Sequence, residues 1–233
     1  MKIFTYIKNN SSRLRKKNFQ KLGNLELWKH LIYEISEIGC EIFIDTDSTH
    51  ILEQCKKDNK LLNVNAYGRK KEFVDMENEH EENLSPSLLM IENFLTNHVV
   101  DENETIILTH VTSPFLKKET ILKAVKNYED GDYEYGHSVV KEHTFGFLSE
   151  FKNALNFNPK VVQKTQDLDP LLLSNGAFFI FNKKVFMRDK NRWGENMYFH
   201  FLNKIEAIEI DYPEDLEFAR LVYGQISKRE HGE

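Results

Sequence analysis

Cysteine is scarce in this chain: Cys40 and Cys55 are the only two. Two cysteines cannot build a disulfide framework, and no Cys-x-x-Cys pair marks a structural zinc site. Long hydrophobic runs are missing as well. No segment approaches the roughly 18 to 20 apolar residues of a membrane span. The opening MKIFTYIKNN has no apolar stretch of the kind a secretory signal carries. The expectation is a cytoplasmic protein with no membrane partner. A basic excess is also absent, since the formal net charge is −6. Nucleic acid is therefore not expected as a partner, and no recognition motif argues for it. The nine histidines show no metal-ligand spacing, and no Ser-His-Asp or Cys-His arrangement is recognisable.

What is present is a chain of 233 residues, long enough for one α/β domain with a full core. Strand-like and helix-like stretches alternate. Lys2 to Ile7, Glu41 to Ile44, Leu61 to Val64, Thr105 to Leu108, Tyr135 to Val140, Ala177 to Phe181 and Ile205 to Ile210 read as strands. Leu25 to Ile38, Thr49 to Lys57, Pro86 to Thr96, Lys118 to Tyr128 and a segment opening at Pro213 read as helices. The acidic stretch Glu72 to Asn83 reads as a solvated loop or the start of a helix. This order predicts a single doubly wound domain over 1–233, a mostly parallel sheet covered on both faces. In such sheets ligands bind beyond the carboxyl ends of the strands, so the loops that leave the strands are the places to look.

The first of these loops is distinctive. Lys8-Asn9-Asn10-Ser11-Ser12-Arg13-Leu14-Arg15-Lys16-Lys17-Asn18 follows the first predicted strand and concentrates five cations in an acidic protein. Small polar residues and free backbone N–H groups can cradle phosphate oxygens while lysine and arginine neutralise their charge. The loop lacks the glycines of a Walker loop or a dinucleotide fingerprint. Near the other end, Glu209-Ile210-Asp211 places two carboxylates on one side of an extended segment. Carboxylates so placed can share a hard divalent cation with phosphate oxygens, the arrangement magnesium favours. Glu214 and Asp215 suit the start of the following helix. Asp45-Thr46-Asp47-Ser48 after the second strand reads chiefly as a helix N-cap cluster.

Ser11-x-Arg13-Leu14-x-x-Lys17-Asn18 resembles the N-terminal signature of the acylneuraminate cytidylyltransferase family. Three further segments resemble that family's motifs in the same order: Thr109-His110-Val111-Thr112-Ser113-Pro114, Ser174-Asn175-Gly176-Ala177 and Glu209-Ile210-Asp211. The resemblance implies a nucleotidyltransferase fold and a CTP-dependent enzyme. It would join CMP to an acidic sugar of sialic, legionaminic or pseudaminic type, release pyrophosphate, and serve surface-glycan synthesis. It implies Lys17, Arg13 and Asp211 as catalytic residues. Lys8, Asn10, Ser11, Asn18, Arg69, His110 and Thr112 would bind nucleotide, and Lys164, Gln166 and Asn175 the acceptor. Asp211 and Glu209 would hold Mg2+. A homodimer is expected, with an insertion around 141–165 forming its contact. Lys8 stands where the family has Arg, His110 where it has Gln, and Glu209 where it has Asp. These departures leave open transfer to another sugar, a phosphonate or a small phosphate, or a nucleotide-binding paralogue without catalysis.

Overall fold

The computed structural model describes residues 1–79, 85–150 and 153–231. Its strands are β1 (Lys2–Ile7), β2 (Lys21–Leu22), β3 (Leu25–Glu26), β4 (Glu41–Thr46), β5 (Val64–Gly68), β6 (Thr105–Thr109), β7 (Tyr135–Glu142), β8 (Leu171–Asn182) and β9 (Met197–Phe201). Its helices are α1 (Leu27–Ser36), α2 (Thr49–Lys57), α3 (Lys71–Glu79), α4 (Pro86–His98), α5 (Lys118–Glu129), α6 (Lys183–Asp189) and α7 (Pro213–His231). One seven-stranded sheet runs β5-β4-β1-β6-β8-β7-β9, while β2 and β3 form a separate hairpin. Within the large sheet β8 runs antiparallel to both of its neighbours, and the other pairings of that sheet are parallel. The mostly parallel, doubly wound sheet expected from the sequence is what forms.

Strand alternation sorts the core onto two faces. On β1, Ile3 and Ile7 point to one side and Phe4 to the other. Ile42 and Ile44 of β4, Ile107 of β6, and Phe178 and Ile180 of β8 join the first face. There α1, α2 and α5 cover them through Trp28, Leu31, Ile51 and Ile121. Phe43, Ile106, Leu108, Phe179 and Phe181 form the second face, under α4 and α6. Phe4 stacks on Phe94 of α4 with ring centroids 4.4 Å apart. A smaller cluster of Leu22, Leu27, Phe115, Ile210, Leu216 and Ala219 seats α7 beside the sheet.

Several expected boundaries move, each for a local reason. Ile205 to Ile210 is no strand. The Asn203 side chain accepts the backbone N–H groups of Ile205 and Glu206, and the Asn203 carbonyl accepts that of Ala207. The side chain thus supplies a turn that competes with a ladder. The neighbouring strand is β9, an edge strand paired in parallel to β7. Leu61 to Val64 shifts to β5, because Asp58 accepts the N–H of Lys60 and winds residues 59–61 into a short turn of helix. Leu25 belongs to the β2–β3 hairpin, so α1 begins at Leu27. The acidic stretch is helical to Glu79 as α3, and its remainder, through Asn83, lies outside the described residues. In the 141–165 segment, β7 continues to Glu142 and Phe147 bridges Ala154, with residues 151–152 outside the described part.

Candidate active site

The parallel strands β1, β4 and β6 release their loops at one edge of the sheet, and the segment before α7 folds back across that edge. Between them lies a cleft of about 640 Å³, bordered by Tyr6, Lys8, the 10–13 loop and Lys17 on one side, and by His110, Thr112, Glu209 and Asp211 on another. Val74 and Glu77 of α3 close the end next to β4 and β5. The cleft is where the topology places ligands in such sheets.

The centre of the cleft is an ion cluster assembled across almost the whole chain. The Lys17 ammonium donates to Asp211 Oδ1 at 2.8 Å, and an Arg13 guanidinium nitrogen lies 2.8 Å from Asp211 Oδ2. Local structure sets each partner. Lys16 adopts a left-handed conformation (φ 50°), turning the chain so that Lys17 opens a short helical turn and is buried. Asn18, also buried, donates its amide to the Lys8 carbonyl at 2.8 Å and closes the loop on the end of β1. On the other side, Asp215 reaches back from α7 to accept the N–H groups of Asp211 and Tyr212, a side-chain cap that fixes the Asp211 backbone. The Arg13 guanidinium lies over the Tyr212 ring, 5.4 Å from its centroid.

Glu209 sits beside this cluster. The Ile210 N–H donates to the Thr112 carbonyl at 2.9 Å, stitching the extended 209–211 segment to the loop after β6. Glu209 and Asp211 therefore both face the cleft, as the alternation predicted, although no sheet ladder holds them. The Thr112 hydroxyl donates weakly to Glu209 Oε1 at 3.4 Å. Burial, and then the charge of Asp211, push the Glu209 carboxyl above its usual pKa against the opposing pull of Lys17. A half-buried carboxylate with one long hydrogen bond and a like-charged neighbour suits an added cation. Among the described residues no cluster of three or more metal-ligating side chains forms. The pair nonetheless fits magnesium, which typically takes one or two carboxylates plus substrate phosphates.

A wide bulge brings β8 into the site. The β7–β8 register jumps from His137–Phe179 to Val139–Ser174, so the intervening β8 residues swing out of the ladder. Ser138 satisfies the bulge through its hydroxyl, which donates to the Phe178 carbonyl and accepts its N–H. Gly176 there has φ +74°, and a Cβ on it would lie 3.6 Å from Glu209 Oε2 and 3.9 Å from His110 Nδ1. His110 donates its backbone N–H to the Ala177 carbonyl, and its Nε2 lies 3.1 Å from the Tyr6 hydroxyl. Burial, reinforced by the charge of Arg192, lowers its pKa to about 3, so the ring is neutral.

The other sequence-predicted site residues divide. Lys8, Asn10 and Ser11 line the cleft, and the Lys8 ammonium is paired with Glu77 at 2.9 Å. Arg69 does not line it. Its guanidinium is buried against Asp45 (2.6 Å) and Glu77 (2.7 Å). Asn175 is buried too. Its amide donates to the Ala207 carbonyl at 2.7 Å, and its Oδ1 accepts the Ala177 N–H, so both ends are structural. Lys164 and Gln166 are exposed around a short helical turn and do not line the cleft. Ser48 caps α2, whereas Asp47 lines the cleft and accepts the Asn9 N–H at 2.6 Å. Tyr6, Val74 and Glu77 are cleft residues that sequence reasoning did not single out. The only signals were the C-terminal position of Tyr6 on β1 and the helical spacing of Val74 and Glu77 within an acidic stretch.

Comparison with known proteins bears on this cleft. Residues 8–228 match the sequence profile of a family described as cytidylyltransferase. The N-acylneuraminate cytidylyltransferase of Streptococcus agalactiae serotype III is 27% identical over 218 residues, covering 89% of this chain and 49% of that protein. The same relation holds for the serotype Ia protein. The chain thus spans about half the length of these relatives. Among solved structures, a CMP:2-keto-3-deoxy-manno-octonic acid synthetase complexed with CTP superposes with a TM-score of 0.64 at 12% identity, covering 96% of this chain and 98% of the other. A 4-diphosphocytidyl-2C-methyl-D-erythritol synthase from Anaerococcus prevotii gives 0.63 at 13% identity, with 95% and 96% covered. At these identities the superpositions establish a shared fold.

Proposed function

The chain belongs to the cytidylyltransferase family, and from that premise we propose that it transfers CMP from CTP to an acidic sugar, releasing pyrophosphate. The observation that carries this reading is the Lys17–Asp211–Arg13 cluster beside Glu209, on the loops where the fold binds ligands. An acceptor hydroxyl attacks the α-phosphorus, the bond to the β-phosphate breaks, and pyrophosphate leaves. Such a transfer needs in-line positioning and charge neutralisation more than covalent help from the protein. Lys17 neutralises charge at the α-phosphate, and Arg13 with the 10–13 loop holds the departing phosphates. Asp211 holds both cations in place, so the triphosphate would meet a preformed pair of cation positions. Asp211 and Glu209 would hold magnesium, which when bound screens the charge between carboxylates and phosphates.

The finer parts of the reading follow the same family. The acceptor is a 2-keto sugar acid of the sialic, legionaminic or pseudaminic kind, the setting is the cytoplasm, and the product feeds surface glycans. The active form is a homodimer. The support for a dimer is a set of exposed apolar side chains along 145–173, among them Phe147, Leu155, Val162, Leu172 and Leu173. Among the described residues no helix is long and apolar enough to cross a membrane.

The test is pyrophosphate release with magnesium, each of the four nucleoside triphosphates, and a panel of sugar acids, sugar phosphates and phosphonates. Release with CTP and a sugar acid is the expected result. Release with another nucleotide, or only with a phosphonate or a small phosphate, overturns the substrate assignment. CTP binding with no release across the panel overturns the transfer reading.

A further inference from the structure

The cations that line the cleft, Lys8, Arg13 and Lys17, are all paired. Lys17 and Arg13 share Asp211, and Lys8 is held by Glu77. Arg192 differs. It lies in the segment between α6 and β9, half-buried, and among the described residues no carboxylate pairs with its guanidinium. Its contacts are an aromatic face and a hydroxyl. The guanidinium carbon lies 4.3 Å from the centroid of the Phe179 ring, and one nitrogen is 3.5 Å from the Tyr6 hydroxyl.

The segment that carries it is fastened on both sides. Trp193 packs edge-on against His137 and Phe179, with centroids 4.6 and 5.3 Å away. Gly194 lies so close to Tyr135 that a Cβ there would meet the ring at 2.0 Å. Arg192 is thus a placed side chain. It is not itself among the side chains that border the cleft; its Phe179 contact places it beside β8, and it meets the cleft wall at the Tyr6 hydroxyl, which lies 3.1 Å from His110 Nε2.

The electrostatics there are one-sided. His110 and His137 both feel the charge of Arg192, and both are neutral chiefly because they are buried. A guanidinium held over an aromatic face with no internal counter-ion keeps its donors available to an anion. Its planar fork suits a carboxylate or phosphate held by two parallel hydrogen bonds.

We infer that Arg192, with the Tyr6 hydroxyl, anchors the anionic group of the acceptor beside β8, at the cleft wall. The inference rests on the transfer reading for the word acceptor, and on the geometry alone for the anion.

The test is calorimetric titration of the full chain, saturated with CTP in the absence of magnesium, using N-acetylneuraminate as the carboxylate probe and glycerol 3-phosphate as the phosphate probe. The wild-type chain should bind at least one of them. Arg192→Ala should weaken that binding by ten-fold or more, Arg192→Lys should restore part of it, and the affinity for CTP should stay within two-fold in both variants, which also reports that they are folded. The probe that binds identifies the anion as carboxylate or phosphate. Wild-type binding to neither probe, or equal binding by Arg192→Ala, overturns the inference. Anion binding through Arg192 in a chain that never releases pyrophosphate would overturn the transfer reading and leave Arg192 as an anion anchor.

Discussion

Two ion clusters stand at the carboxyl edge of the same sheet and use similar residues in opposite ways. Around Arg69, the guanidinium and the Asp45 carboxylate are fully buried, and Glu77 is nearly so. Around Asp211, Arg13 is half exposed and the carboxylate about one quarter exposed. The first cluster ties β4 and β5 to α3. It meets the cleft only through Glu77, whereas the second lies along it, where an incoming anion can compete for its cations. Burial decides which of them is free to take a ligand. A desolvated pair is costly to break, while a pair facing water exchanges partners cheaply.

The largest expected effect breaks the buried cluster. Arg69→Ala leaves Asp45 unpaired inside the protein, where burial already opposes its ionisation and one carboxylate oxygen has no hydrogen-bond partner. Urea denaturation should show a loss of about 3–5 kcal/mol. A loss below about 1 kcal/mol together with abolished CTP binding would instead make Arg69 a nucleotide ligand, as the family resemblance implied. Next comes Lys17→Ala, which breaks the open cluster. Turnover should fall by about 10²–10³, while stability falls less than in Arg69→Ala, because Asp211 is partly exposed and keeps Arg13 as a partner. Near-normal turnover would remove Lys17 from the mechanism. A loss of stability as large as that of Arg69→Ala would erase the distinction between the two clusters.

This contrast also marks what a sequence can carry. Lys17 and Asp211 are 194 positions apart, yet both were legible, because each sits in a short charged motif. Arg69 carried the same family signal and is held elsewhere, since nothing in a linear pattern distinguishes a buried guanidinium from one facing a cleft. Asn175 behaves likewise. Its Asn-Gly signal correctly marked a backbone of unusual conformation, but the amide is taken up by Ala207 and Ala177. The two-faced sheet was legible because alternation is a local property of β1, β4, β6 and β8. The Ile205 to Ile210 turn was not, because a single Asn203 side chain overrides an apolar pattern. Arg192 was invisible for a further reason. Its placement depends on Phe179, Trp193 and Tyr6 meeting from three elements, and no motif surrounds it.

The smallest effect sharpens the comparison within the open cluster itself. Glu209 is the cleft carboxylate whose ionisation the fold opposes, first through burial and then through Asp211. Its folded pKa is raised above the unfolded value of about 4.3. Ionising it therefore withdraws stability as pH rises from the unfolded value through the folded one, and the deficit persists at neutral pH. Glu209→Gln has no such ionisation. The variant should be more stable than wild type at pH 7 by about 0.5–2 kcal/mol, and the gain should vanish below about pH 4, where the wild-type carboxyl is protonated as well. Thermal denaturation at the two pH values measures this directly. The same substitution should lower magnesium-dependent turnover and blunt the rise in Tm that magnesium gives the wild-type chain. A variant that is no more stable at pH 7 would mean that Lys17 already compensates Glu209 in the resting cleft. The site would then have no unbalanced negative charge, and Glu209 would not be held ready for a cation.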